Sequence, residues 1–145
     1  MSGSDGLVRL VGYGLAVSFA LVGLLFLSIP GDVLGALNAI GARLGLPDAP
    51  RAGHSLYLVL AVAYMYVVTL LATRMARRPG ERAYATVLVH AKAASALLSI
   101  VLFVVHEQYF AYLANFALDG AIALLVYWVG VRVAGTGAGE APGRG

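Results

Sequence analysis

Long apolar runs broken by short polar clusters set the pattern of this chain. Four of the runs are long enough to cross a hydrocarbon core of about 30 Å, which takes about 20 apolar residues as a helix. The first extends from Leu7 to Ile29 and stops at Pro30-Gly31. The second extends from about Ser55 to Met75 and closes in Arg74, Arg77, Arg78, Pro79 and Gly80. The third covers about Ala83–Val105 and the fourth about Tyr109–Val133, after which the chain passes into a Gly-rich tail, Gly135–Gly145. Backbone N–H and C=O groups in lipid must be satisfied within the segment, so these runs are helices. The connections Arg77–Arg82 and His106-Glu107-Gln108 are short, which makes the last three spans antiparallel neighbours. The predicted fold class is an all-α integral membrane protein, a four-transmembrane-helix bundle forming a single membrane domain over residues 1–145.

Within the longest connection, Pro30–Gly53, Val33, Leu37, Ile40 and Leu44 recur at intervals of four, three and four, with Asn38 and Arg43 on other faces. That spacing predicts an amphipathic helix in the membrane interface, its apolar stripe turned to lipid or to the bundle. Its two readings are a lid over the outer mouth of the bundle and a docking helix for a partner. The first span carries Asp5 ahead of it in place of a basic cluster, and no small-x-small cleavage site follows. It reads as a membrane anchor, not a cleaved signal. Gly12, Ala16 and Ala20 mark an edge for close helix approach in that span.

Composition sharpens this picture. The chain has 145 residues, of which 61% are hydrophobic and 12% charged. Soluble domains carry about 25% charge, so a soluble enzyme is excluded, as is a disordered segment. There is no cysteine, which excludes thiol chemistry and Cys-ligated metals. The net charge of +3 is explained by topology and gives no ground for nucleic-acid binding. In a four-span layout Arg9, Arg74, Arg77, Arg78, Arg82, Arg132 and Arg144 fall on one side, and only Arg43 and Arg51 on the other. The positive-inside rule then places both termini in the cytoplasm, with the protein multi-pass in the inner (cytoplasmic) membrane. Tyr84, Tyr127 and Trp128 belong to the inner interface of that layout, and Tyr57, Tyr109 and Phe110 to the outer one.

The candidate chemistry lies in the polar residues inside the spans. Lys92, the only lysine, is near the middle of span three, and Asp119, the only acid within a span, is near the middle of span four. Counted from their shared turn at about 1.5 Å per residue, both reach a depth of roughly 17–21 Å. An unpaired charge there costs at least about 2.5–3.5 kcal/mol, so the two are expected to form an ion pair. Ser95, Ser99 and His106 share the Lys92 face, at +3, +7 and +14, and Tyr112 and Asn115 share the Asp119 face. Together they predict a polar seam from mid-membrane to the outer surface. The seam has two readings, helix–helix glue and a path or pocket for a proton, a solute or a ligand head group. On span two, Tyr64 and Tyr66, with Thr69 and Thr73, form a stripe with two readings, completion of the polar interior and core, of which core is the simpler.

His54 and His106 flank span ends at the outer face, where a bis-His haem, a metal or a quinone head group is conceivable; interfacial histidines are the simpler reading. His90 sits about 200° round the helix from Lys92 and is expected to be buried toward Thr69 or Tyr66. The chain lacks a Gly-rich phosphate loop, an HExxH motif, paired carboxylates and a nucleophile triad; no catalytic residue and no metal ligand set is assigned.

In length, N-in/C-in topology, long first outer loop and the Leu118-Asp119-Gly120 step of its last span, the chain resembles small four-span bacterial membrane proteins of the DoxX-like and related uncharacterised families. The resemblance implies an accessory subunit of a respiratory or redox membrane complex. Three functions therefore stand as expectations. The first is a non-catalytic accessory subunit with a protein partner or as a homo-oligomer. The second is a small proton-coupled transporter using Lys92 and Asp119. The third is a haem- or quinone-binding redox protein using His54 and His106, with His90.

Overall fold

The computed structural model describes the backbone of residues 3–50 and 55–133 and the side chains of residues 5–50 and 57–130. Arg51, His54, Arg144 and the tail from Gly135 lie outside the described residues, as does the side chain of Arg132. Among the described residues five α-helices follow one another: α1 (Gly3–Ser28), α2 (Pro30–Arg43), α3 (Ser55–Arg77), α4 (Arg82–Val105) and α5 (Phe110–Val126). The last runs on into a π-helical segment, Tyr127–Val133. There is no strand among the described residues. Four stretches, Asp5–Ser28, Tyr57–Arg77, Arg82–Val105 and Phe110–Gly130, are long and apolar enough to cross a membrane. They coincide with the four runs read from the sequence, as expected of a multi-pass membrane protein. Leu10, Val17, Leu24, Leu97, Val104 and Leu124 face outward, as lipid-facing side chains do.

The bundle is assembled from two antiparallel pairs, α1 with α3 and α4 with α5, joined where α3 meets α4 and where the π-helical segment meets α1 and α4. Small residues set the approach of α1 to α3 and of the π-helical segment to α4. A Cβ on Gly12 would come within 2.8 Å of Ala76 Cβ, and one on Gly23 within 3.0 Å of Met65 Cβ. A Cβ on Gly130 would meet Ala85 Cβ at 2.6 Å and Met75 Sδ at 3.3 Å. The contact edge of α1 is therefore Gly12, Ala16 and Gly23, while Ala20, expected on it, is exposed. Each step of four residues advances 400° at 100° per residue, so Ala20 has drifted about 80° from Gly12, whereas Gly23 returns to within about 20°.

Apolar packing is concentrated at the end where α1 begins and α3 closes. Val8, Phe19, Val68, Ala72, Met75, Ala85, Leu88, Val126 and Val129 form one buried cluster there. Arg9, Arg74, Arg77, Arg78 and Arg82 belong to this same end, and an exposed Arg78–Glu81 pair at 2.9 Å spans the α3–α4 turn. The opposite end carries α2 and the α4–α5 turn.

Pro30 opens α2 at a position where its missing N–H costs nothing. The helix ends in a Schellman turn: Leu46 N–H donates to Gly41 O (3.0 Å), Gly45 N–H donates to Ala42 O (3.1 Å), and Gly45 takes φ +72°. The face turned to the protein carries Asn38 and Gly41, both buried, and Gly41 sits against Phe110 at the start of α5. The expected apolar stripe is only half engaged: Val33 and Leu37 are partly buried, while Ile40 and Leu44 are exposed. Asn38, read as lying off that stripe, is the anchor of the following loop. Its Nδ2 donates to Ala49 O (2.9 Å) and its Oδ1 accepts from Ala49 N–H (3.0 Å). Asn38→Ala strands two backbone groups of Ala49, each costing about 1–3 kcal/mol if left unsatisfied. Faster amide exchange over Gly45–Ala49 and a lowered unfolding midpoint are the expected results.

Candidate functional site

The one ion pair inside the described bundle sits where the tight core gives way to the looser half. Lys92, on α4 one turn beyond Leu88, donates from Nζ to Asp119 Oδ1 on α5 at 2.8 Å. Lys92 is 1% exposed and Asp119 4%. Two aromatic rings flank the ammonium, Phe19 of α1 at 4.6 Å and Tyr64 of α3 at 5.0 Å to their centroids. Both are within the range in which a ring face attracts a cation. Lys92 thus meets all four spanning helices through three side chains and its own backbone. Asp119 Oδ2 is buried and has no hydrogen-bond partner among the described residues.

Above the pair, toward the α2 end, lies the polar seam. Asn115 Nδ2 donates to Ser99 Oγ at 2.7 Å and to Ser95 Oγ at 3.1 Å, tying α5 to α4. Tyr64 Oη donates to Ala91 O at 3.1 Å, tying α3 to α4. These groups line a groove of about 600 Å³ between α3, α4 and α5, with Tyr112 toward its α2 end and Leu98 and Leu102 along its apolar side. That volume lies within the range of small-molecule sites, about 300–1,000 Å³. Leu98 is 62% exposed, so the groove opens sideways onto the surface that faces lipid. None of its described lining residues is charged. A narrower cleft of about 250 Å³ between α1 and α3, floored by Gly23 and Met65, offers few polar groups.

The sequence-predicted seam thus divides in two. Lys92 and Asp119 form a closed pair; Ser95, Ser99 and Asn115 form a hydrogen-bonded cluster that, with Tyr112, borders an open groove. His106 caps the end of α4 and is exposed, outside both. His90 corrects the expectation of burial against span two: it is exposed and its Nδ1 is 2.8 Å from Thr86 O of its own helix. The reason is geometric, because the α4 face that carries Leu88, Lys92 and Ser99 turns inward and His90 lies well off it. His90 and His106 are sixteen residues apart on one helix, about 24 Å along its axis, so they share no ligand. The expectation for His54 falls outside the described residues. No group of three or more His, Asp or Glu side chains suited to a metal occurs among the described residues.

The stripe on α3 is likewise only partly core. Thr69 and Thr73 bond back to Met65 O and Thr69 O at 2.7 and 2.8 Å, while Tyr66 is exposed. Tyr64, whose ring and hydroxyl serve the ion pair and the groove respectively, is the site residue that the stripe obscured. Phe19 carried no signal at all, since its partner is an ammonium on another helix. No family model matches the chain, and neither a curated protein nor a solved structure does.

Proposed function

We propose that this chain is a non-catalytic, ligand-holding membrane protein, serving as an accessory component of a larger inner-membrane complex with both termini in the cytoplasm. In this reading the α3–α4–α5 groove takes the polar head of a molecule dissolved in the bilayer, and the Lys92–Asp119 pair is a structural clasp beneath it. The observation that carries it is the groove itself, roomy, open toward lipid, with Ser95, Ser99, Asn115, Tyr64 and Tyr112 opposite the apolar side chains of Leu98 and Leu102. A purely structural seam would be closed, as the ion pair is. The arginine-rich end supports the orientation, and α2 then covers the outer end of α5.

The test is mass spectrometry of the protein extracted in polymer discs, comparing wild type with Ala94→Phe. Ala94 is exposed and lines the groove, so a phenyl ring there fills space without disturbing the core. Wild type is expected to carry one amphiphile at several times its bulk-lipid abundance, and Ala94→Phe to lose that enrichment. Equal lipid profiles for the two proteins would remove the reading.

A second reading, a small proton-coupled transporter working through Lys92 and Asp119, is favoured by one observation, the unpartnered Asp119 Oδ2. It requires access to the pair, whose two residues are 1% and 4% exposed. Proton flux into vesicles that disappears in Lys92→Met/Asp119→Val would support it over the first.

A further inference from the structure

Donors and acceptors are unequal in the groove, and the excess points to a chemical class of ligand. Asn115, Ser95 and Ser99 together hold four donor hydrogens, two on the amide and one on each hydroxyl. Two are used inside the cluster, in the bonds of 3.1 and 2.7 Å. Exchanging the amide oxygen and nitrogen of Asn115 does not alter that count, because the hydroxyls then donate to the carbonyl and the two N–H groups are released. Serines and threonines in a helix commonly bond back to the carbonyl one turn earlier. Ser18, Thr69 and Thr73 do so here, at 2.7–2.9 Å, whereas Ser95 and Ser99 accept from Asn115 and neither hydroxyl makes such a bond back. Tyr64 Oη, beside Ser95, gives its own proton to Ala91 O and can accept one. At least one donor on these groove-lining residues is therefore left without a partner among the described residues, and Tyr112 adds a phenol hydroxyl to the lining.

Resting on the ligand-holding reading above, we infer that the groove recognises a neutral, bilayer-dissolved molecule by a carbonyl oxygen, which accepts from the Ser95–Ser99–Asn115 cluster. Charge supports neutrality: none of the described lining residues is ionised, and the nearby Lys92 is neutralised by Asp119 at 2.8 Å. A phosphate head group would find no cation there. Depth supports a compact acceptor. Ser99 and Ser95 lie six and ten residues before Val105, about 9 and 15 Å below the end of α4, where water offers no competing bond. The open side along Leu98 and Leu102 accommodates an apolar tail. Two sources share this chemistry, the ester carbonyl of a neutral acylglycerol and the ring carbonyl of a quinone.

The experiment uses the full chain in discs of ether-linked phosphatidylcholine, which brings no ester carbonyl of its own. Native mass spectrometry measures binding of four probes: a dioleoylglycerol, its dioleyl ether counterpart, a short-tailed benzoquinone, and that compound's hydroquinone under anaerobic conditions. At least one carbonyl probe is expected to bind tenfold or more tightly than its carbonyl-free counterpart, and the pair that shows the preference names the source. In Ser95→Ala/Ser99→Ala/Asn115→Val the preference is expected to vanish while the carbonyl-free probe binds as before. Should ester and ether, and quinone and hydroquinone, bind equally to wild type and all be blocked by Ala94→Phe, the carbonyl inference is overturned and the groove remains a ligand site. If no probe shows binding that Ala94→Phe blocks, both readings fall. The wild-type comparison decides the inference even where the triple variant does not fold.

Discussion

Lys92→Met is expected to lower the stability of the bundle by about 3–5 kcal/mol, the range seen when one partner of a buried ion pair is removed. Methionine nearly matches the volume of lysine and keeps an unbranched stem between Phe19 and Tyr64, so lost packing is a small part of the effect. What changes is that Asp119, 4% exposed, loses the only hydrogen bond that its carboxylate makes among the described residues, since Oδ2 already has no partner among them. Asp119→Val is expected to be costly as well, though the rings at 4.6 and 5.0 Å still attract the stranded ammonium. The double variant Lys92→Met/Asp119→Val removes both charges and is expected to recover most of the loss, ending within about 1–2 kcal/mol of wild type, because apolar replacement of a whole buried pair is often neutral. Reversible unfolding in mixed micelles measures all three. Losses that simply add in the double variant would mean that the two residues are not coupled.

Gly12→Leu is expected to break the packing of α1 against α3. A Cβ at position 12 already comes within 2.8 Å of Ala76 Cβ and 3.0 Å of both Ala72 O and Ala76 N. Two of those three atoms are backbone and cannot rotate away, so α1 has to move off α3. Overpacking of this kind costs about 1–3 kcal/mol and more where the backbone must shift. Gly14 supplies the control. It lies two residues away on the same helix, with nothing within 4 Å of a Cβ built there, so Gly14→Leu is expected to leave the unfolding midpoint unchanged. Equal effects at the two positions would contradict the α1–α3 contact.

The spans were legible in the sequence because each is bounded by strong punctuation: Pro30-Gly31, the Arg77–Arg82 turn and His106-Glu107-Gln108. The Lys92–Asp119 pair was legible for a different reason, that two charges at matched depth on adjacent helices have few alternatives to each other. Ser95, Ser99 and Asn115 followed from helical spacing alone. What spacing cannot supply is which helix lies across from which face. Phe19 and Tyr64 reach Lys92 through the contacts of α1 and α3 with α4, and nothing in the period of either helix announces that. The same gap explains His90, whose angle from Lys92 was correctly read but whose neighbour on that side is open surface. The role of Asn38 was not legible because its partner, the backbone of Ala49, lies eleven residues on. Here the Schellman turn at Gly45 brings Ala49 back within reach of its amide.

The division between a structural clasp and an open ligand groove is the centre of this account, and one measurement addresses it directly. Lys92→Met/Asp119→Val is extracted in polymer discs beside wild type and Ala94→Phe, and the amphiphile that co-purifies with each is quantified by mass spectrometry. The expected result is that the charge-free protein, folded by its unfolding midpoint, keeps the amphiphile enriched as in wild type while Ala94→Phe loses it. A folded double variant that has lost the amphiphile would contradict the account, since the ion pair would then belong to the binding site itself.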